Sequence, residues 1–189
     1  MLSVNLKEFT AFNHRQLEGK IISQIRAIKK PADYLKLLSL FYVFFGALEI
    51  QVKKHLHKGF LPDGKERRKT ALLLEDFDQL GVKNVMLPGN KTAIFIKAHL
   101  QAIGALYVME GSTLGGQAIS KMIAKQLSSD TGMRFFNGYG LQTATMWESF
   151  KNTIDKKNFE QADEKIIIDA ANETFKKFSN YFDAQQVTV

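Results

Sequence analysis

Between Thr92 and Leu127 the chain reads as one long helix, yet it carries Gly104, Gly111, Gly115 and Gly116 in its interior. A glycine costs about 1 kcal/mol against alanine inside a helix, so four weaken this one by about 3–4 kcal/mol. At 100° per residue, Gly104, Gly111 and Gly115 project within about 40° of one another. Such a stripe free of side chains calls for something flat or bulky against bare backbone, or for a bend in the helix.

The rest of the pattern is helical as well. Asn5 with Glu8 three residues on reads as a capping box opening a helix that runs to about Lys29. Pro31 suits the first turn of a second helix ending before Gly59, and Leu61-Pro-Asp-Gly64 is a turn. A third helix is predicted from about Glu66 to Leu80, closed by Gly81. Val82–Asn90 is expected to be extended or irregular, with a Pro88-Gly89 turn. The glycine-bearing helix comes next, and 128–140 follows as a loop. Helices over about Leu141–Lys157 and Glu160–Ala184 complete the chain before a frayed tail at 185–189. No alternating segment is long enough for a sheet, and nothing marks an internal boundary. The expectation is one all-α domain, a multi-helix bundle spanning 1–189.

Composition narrows the chemistry. The absence of cysteine excludes disulfides, thiolate metal sites and a cysteine nucleophile. Fifteen phenylalanines supply much of a core. The N-terminus lacks the form of a signal peptide, and Leu37–Val52, the most apolar run, is broken by Ser39, Gly46, Glu49 and Gln51. A cytoplasmic protein with no membrane partner is therefore expected. The net charge of +7 suits an anionic ligand or an acidic protein partner, or is simply a solvated basic surface. Its clusters, Lys53–Lys58 and Lys65–Lys69, lack the interleaved aromatics of a nucleic-acid platform, so no nucleic-acid partner is expected.

Of the four histidines, His14 falls on the apolar stripe formed by Leu17, Ile21, Ile25 and Ile28, where another aliphatic residue would fit the pattern. It is either a core histidine bonded to a carbonyl or a ligand to a metal or haem iron in an apolar cavity. Lys7 lies at nearly the same angle, about 10 Å along the axis, placed for an anionic group on the same ligand. His55 and His57, two apart, do not face one another and sit in a basic C-terminal turn. His99 faces away from the glycine stripe, as a surface or partner-helix residue. A di-iron bundle would want Glu-x-x-His pairs, and none occurs. Ser112 has no evident His and Asp partners for nucleophilic catalysis, and Gly111–Gly116 lacks the ending of a phosphate loop. A histidine helix facing a glycine stripe can instead sandwich a planar macrocycle.

The stretch Gly104-Ala-Leu-Tyr-Val-Met-Glu-Gly-Ser-Thr-Leu-Gly-Gly116 resembles the distal helix of the haem oxygenases, particularly the bacterial biliverdin-producing branch associated with phytochromes. Phe9-Thr-Ala-Phe-Asn-His14-Arg-Gln-Leu-Glu18 is similar to that family's proximal-histidine helix. Phe41–Glu49, Arg134–Gly140 with Met146-Trp147, and Ala170-Ala-Asn-Glu-Thr-Phe175 extend the likeness over nearly the whole chain.

The resemblance implies oxidative cleavage of haem to biliverdin, ferrous iron and carbon monoxide. Haem would be both cofactor and substrate, with molecular oxygen and electrons from a ferredoxin or other donor. It implies His14 as proximal iron ligand, and Gly111, Ser112 and Gly115 as the distal wall over bound oxygen. Lys7, Lys151 and Phe175 are then further haem-binding positions, and a bacteriophytochrome is an expected bilin acceptor. Ser112 stands where the animal enzymes carry an aspartate that organises a water chain; a hydroxyl can hold a water but not that charge. A haem-binding or haem-sensing protein without turnover is the alternative. A di-iron oxidase is disfavoured by its missing ligand pairs, and a thiaminase-like relative by the missing cysteine.

Overall fold

The computed structural model describes residues 1–83, 85 and 96–186, with side chains through 184. Seven α-helices follow one another among them, with no strand: α1 (Leu2–Arg26), α2 (Pro31–His55), α3 (Ala71–Gln79), α4 (His99–Leu127), α5 (Arg134–Asn137), α6 (Thr143–Asp155) and α7 (Gln161–Gln186). A 3₁₀ turn, Gly140–Gln142, precedes α6. The all-α expectation holds. The Pro88-Gly89 turn and the tail at 187–189 lie outside the described residues, whereas the glycine helix, expected from Thr92, begins only at His99: residues 96–98 are not helical, and Ala98 is extended.

Several helix ends follow the local chemistry. Pro31 opens α2, and the Asp33 carboxylate accepts from the amides of Lys29 and Lys30 at 3.1 and 3.2 Å. Gly81, at φ +78°, closes α3: the Val82 amide reaches back to the Phe77 carbonyl (2.9 Å), and only a residue without a β-carbon adopts that turn cheaply. The expected Asn5–Glu8 capping box is not formed. The helix starts four residues earlier, at Leu2, because the Ser3 amide and hydroxyl find Asp155 at 2.8 and 2.6 Å. Asn5 instead donates to Glu164. Similarly, the third helix begins at Ala71 rather than Glu66, since Arg67 and Arg68 are drawn into long-range bonds.

The phenylalanines meet in the middle. Phe41, Phe44 and Phe45 of α2 pack on Phe135 and Phe136 of α5 and Phe178 and Phe182 of α7. Phe44 stacks on Phe178 at 4.3 Å, while Phe41 meets Phe136 edge-on at 4.9 Å, both favoured ring geometries. Phe9 and Phe12, by contrast, are exposed on α1. By length and composition α2 could cross a membrane, a departure from the sequence reading, but 56% of that apolar window is buried in the protein. α1 and α7 lie side by side and parallel, tied in order by Asn5–Glu164, Asn13–Asn172 and Lys20–Asp183.

Candidate functional site

The four glycines of α4 divide into two kinds. A β-carbon on Gly104 would stand 2.2 Å from the Ile167 carbonyl oxygen, and one on Gly116 would stand 2.1 Å from that of Phe136. These two let α7 and α5 approach α4 more closely than any side chain allows. Around Gly115 a β-carbon would meet nothing within 4 Å, and at Gly111 it would only touch the edge of Trp147 at 3.7 Å. The single stripe expected from the helical wheel is thus split: Gly104 packs, whereas Gly115 faces open space.

One turn before Gly111, Tyr107 lies against Thr10 of α1. One turn after Thr10, the His14 side chain is 56% exposed. It therefore sits at the edge of the apolar stripe, where Leu17 and Ile25 turn inward and the imidazole does not. Its ring is held by Phe175 of α7, edge-on at 5.5 Å and 86°, and Glu18 Oε2 stands 3.9 Å from Nδ1. Asn13 and Asn172 bond at 2.6 Å beside it, fixing α1 against α7 at this level. Phe175 is buried. Lys7 is exposed two turns before His14, and Lys151 of α6 pairs with Glu148 at 2.7 Å. Among the described residues, no group of three His, Asp or Glu side chains could hold a metal ion.

Behind α4 lies a polar network that the sequence reading did not assemble. Arg67 is buried; it donates to Glu110 Oε2 (2.8 Å), to both Asp63 oxygens (2.9 and 2.7 Å) and to the Met146 carbonyl (2.8 Å). Burial opposes its charge, but Glu110 and Asp63 more than offset this and hold its pKa above the usual value. Tyr139 donates to Glu110 (2.9 Å) and accepts from the Arg68 amide (2.8 Å). Its phenol is pushed up by burial and by the Glu110 charge. Ser112 donates to the Met109 carbonyl (2.7 Å) and accepts from Arg68 Nη2 at 2.6 Å. One signal for this network was available: Glu110, a charge closing the apolar run Ala105–Met109, needed a buried cation.

The fold has close counterparts among solved structures. The enzyme from Leptospira interrogans matches with TM-score 0.79 and 19% identity, covering 97% of this chain and 98% of that one. The enzyme from the cyanobacterium Synechocystis, solved in complex with haem, matches with TM-score 0.77 and 18% identity over 98% and 92%. That of Neisseria meningitidis, with NO and CO bound, matches with TM-score 0.75 and 21% identity over 100% and 94%. All three are haem oxygenases.

The chain carries the haem oxygenase fold. The family model described as "Heme oxygenase" matches residues 91–184, which take in α4 to α7 and every glycine of the α4 helix. No curated protein sequence matches the chain significantly. In this haem oxygenase fold α1 contributes His14, and α4 contributes the open backbone at Gly115. α6 and α7 contribute Trp147 and Phe175, each in contact with one of those helices.

Proposed function

We propose that the protein is a haem oxygenase, cleaving haem to biliverdin, ferrous iron and carbon monoxide with oxygen and electrons from a separate donor. The observation that carries the reading is the pairing of an accessible histidine on α1 with unobstructed backbone at Gly115 of α4, within a fold matched over nearly its whole length. When bound, haem supplies the iron that activates oxygen and is itself the molecule oxidised.

The protein's part is placement. Phe175 restrains the His14 ring from one side, leaving Nε2 for the iron while Nδ1 faces Glu18. A carboxylate behind a ligating histidine fixes its tautomer and raises its basicity. The 3.9 Å separation is longer than a hydrogen bond. At the opposite wall, bare backbone at Gly115 admits the flat ring and a small gas molecule. Lys7 and Lys151 supply cations for the propionates; Lys151 must exchange Glu148 for its new partner, an exposed pair that costs little to break. An acidic ferredoxin-like donor suits the +7 charge.

Hemin titration followed at the Soret band, then addition of ascorbate or a ferredoxin system under oxygen, tests this. A histidine-ligated band that decays to a biliverdin spectrum is expected, and His14→Ala should lose that ligation. Stable haem without decay would make this a binding protein instead, and absence of haem binding would overturn the reading altogether.

A further inference from the structure

Trp147 stands at one end of the space between His14 and Gly115. α1 and α4 set out from the same end of the molecule. Ser3 of α1 bonds Asp155 at the end of α6, and Lys157, just beyond, lies over Phe60, which packs edge-on against His99 of α4. The two helices meet where Thr10 lies against Tyr107. One turn further along each come the exposed His14 and Gly111, and a turn beyond Gly111 is Gly115, whose β-carbon position has nothing within 4 Å. The space proposed for haem therefore opens just past the Thr10–Tyr107 contact.

The Trp147 indole marks that boundary. It packs on Tyr107 (5.5 Å between ring centres) and stacks on the buried Phe150 (5.5 Å, 18°). Its Cη2 and Cζ3 lie 3.7 and 3.8 Å from where a β-carbon on Gly111 would be. Those atoms form the edge away from the indole N–H, so an apolar edge with no donor faces the glycine helix. Gly111 and Gly115 are about 6 Å apart along the helix axis. The first is covered by the indole and the second is bare. Lys7 lies one turn before Thr10, and Lys151 one turn after Trp147 on a helix running back towards the shared end. Both cations are thus on the far side of this boundary from Gly115.

The indole is also held in place. The Met146 carbonyl accepts from the buried Arg67 (2.8 Å), and the Ser149 hydroxyl donates to Asp63 (2.7 Å), the carboxylate that pairs with Arg67. α6 is therefore tied to the segment before α3 on both sides of Trp147. Phe150 is wholly buried beneath, whereas Trp147 keeps part of its surface open.

We propose that Trp147 is a specificity-determining residue: its apolar edge stops a macrocycle lying against Gly115 from moving on towards Gly111, and so fixes which meso edge of the ring lies under the open backbone. The propionates would reach back past this edge to Lys7 and Lys151. The inference rests on the haem placement proposed above.

Haem methyl proton resonances of the ferric, cyanide-bound protein test it, because their spread depends on how the ring is turned relative to the axial imidazole. Trp147→Ala is expected to keep hemin binding, since His14 and Gly115 are untouched, but to change the methyl pattern. Under turnover, the ratio of the main biliverdin isomer to the others, separated by chromatography, should fall roughly tenfold, the discrimination carried by a missing apolar contact in a pocket. Trp147→Phe, shorter by one ring, should give a smaller change in the same sense, and carries the comparison if Trp147→Ala fails to fold. The same methyl pattern in all folded variants, with only the thermal transition lowered, would show a purely structural residue and overturn the proposal. Loss of hemin binding in a folded Trp147→Ala would also overturn it, since the indole would then hold the ring rather than limit its entry. Failure of the unmodified protein to bind hemin would overturn the haem placement itself. Stable haem without turnover would remove only the proposed activity, and the methyl pattern would still decide the role of Trp147.

Discussion

The Ile167 carbonyl oxygen of α7 stands 2.2 Å from the position a β-carbon would take on Gly104 of α4. The two helices therefore touch through backbone, and the contact is conditional on hydrogen at that position. Gly104→Ala is expected to destabilise the protein by about 2–3 kcal/mol through overpacking that backbone cannot relieve. Gly115→Ala, with nothing within 4 Å, should gain up to about 1 kcal/mol from helix propensity. Urea denaturation of the pair checks this, and a like effect from both would contradict the division of the glycines.

The same open space at Gly115 makes a functional prediction. A β-carbon there meets nothing within 4 Å, so leucine is expected to leave the thermal transition unchanged. Hemin affinity is expected to fall at least roughly tenfold, because a hydrophobic side chain of that volume occupies the proposed ring position. Soret titration beside a thermal melt separates the two effects; unchanged hemin affinity would place the ring elsewhere.

Glu110 and Arg67 form an ion pair with both side chains almost fully buried. Glu110→Ala should cost about 3–5 kcal/mol, since it leaves part of the Arg67 charge buried without its partner. Glu110→Gln keeps an acceptor for Tyr139 and should cost less. A double variant that replaces both residues by methionine is expected to recover much of the loss, as a double-mutant cycle on denaturation free energies would reveal.

His99 stacks on His57 at 3.6 Å, with Phe60 edge-on at 5.1 Å, and its Nδ1 accepts from the His57 amide at 3.1 Å. Burial, then the nearby His57 and Lys157, hold its pKa below the usual value of 6.5. The folded state thus prefers neutral His99. Its contribution is present above the unfolded pKa and fades as pH falls from there through the lower folded value. The drop in Tm on acidification from pH 7 to about pH 5 should be smaller in His99→Gln than in the unmodified protein. Parallel Tm curves would remove His99 from the pH response.

Much of the helical layout was legible because it depends on neighbours a few residues apart. Pro31 opens α2 and Gly81 closes α3 as their backbone preferences dictate. The errors have a common cause. Asn5–Glu8 matched a capping pattern, but Asp155 offered the Ser3 amide a partner 152 residues away. The helix starting near Glu66 by periodicity is cut back to Ala71 because Arg67 and Arg68 bond across the fold. His57 and His99, read separately as peripheral residues, are stacked on one another.

Of the candidate site, local spacing carried His14 and the open glycine on α4, because each departs from what its own helix would otherwise contain. It could not say which glycines meet backbone and which meet space. Helical-wheel angle alone groups Gly104 with Gly115, while the crossing of α7 buries one and passes the other by. Nor could it separate Arg67 and Arg68 from the solvated lysines beside them. Sequence determined where side chains are missing and where charges occur, since those are properties of single residues and single turns. Tertiary structure decided which of those gaps are filled and which charges are neutralised, since both depend on the carbonyls and carboxylates that distant helices bring to the same point.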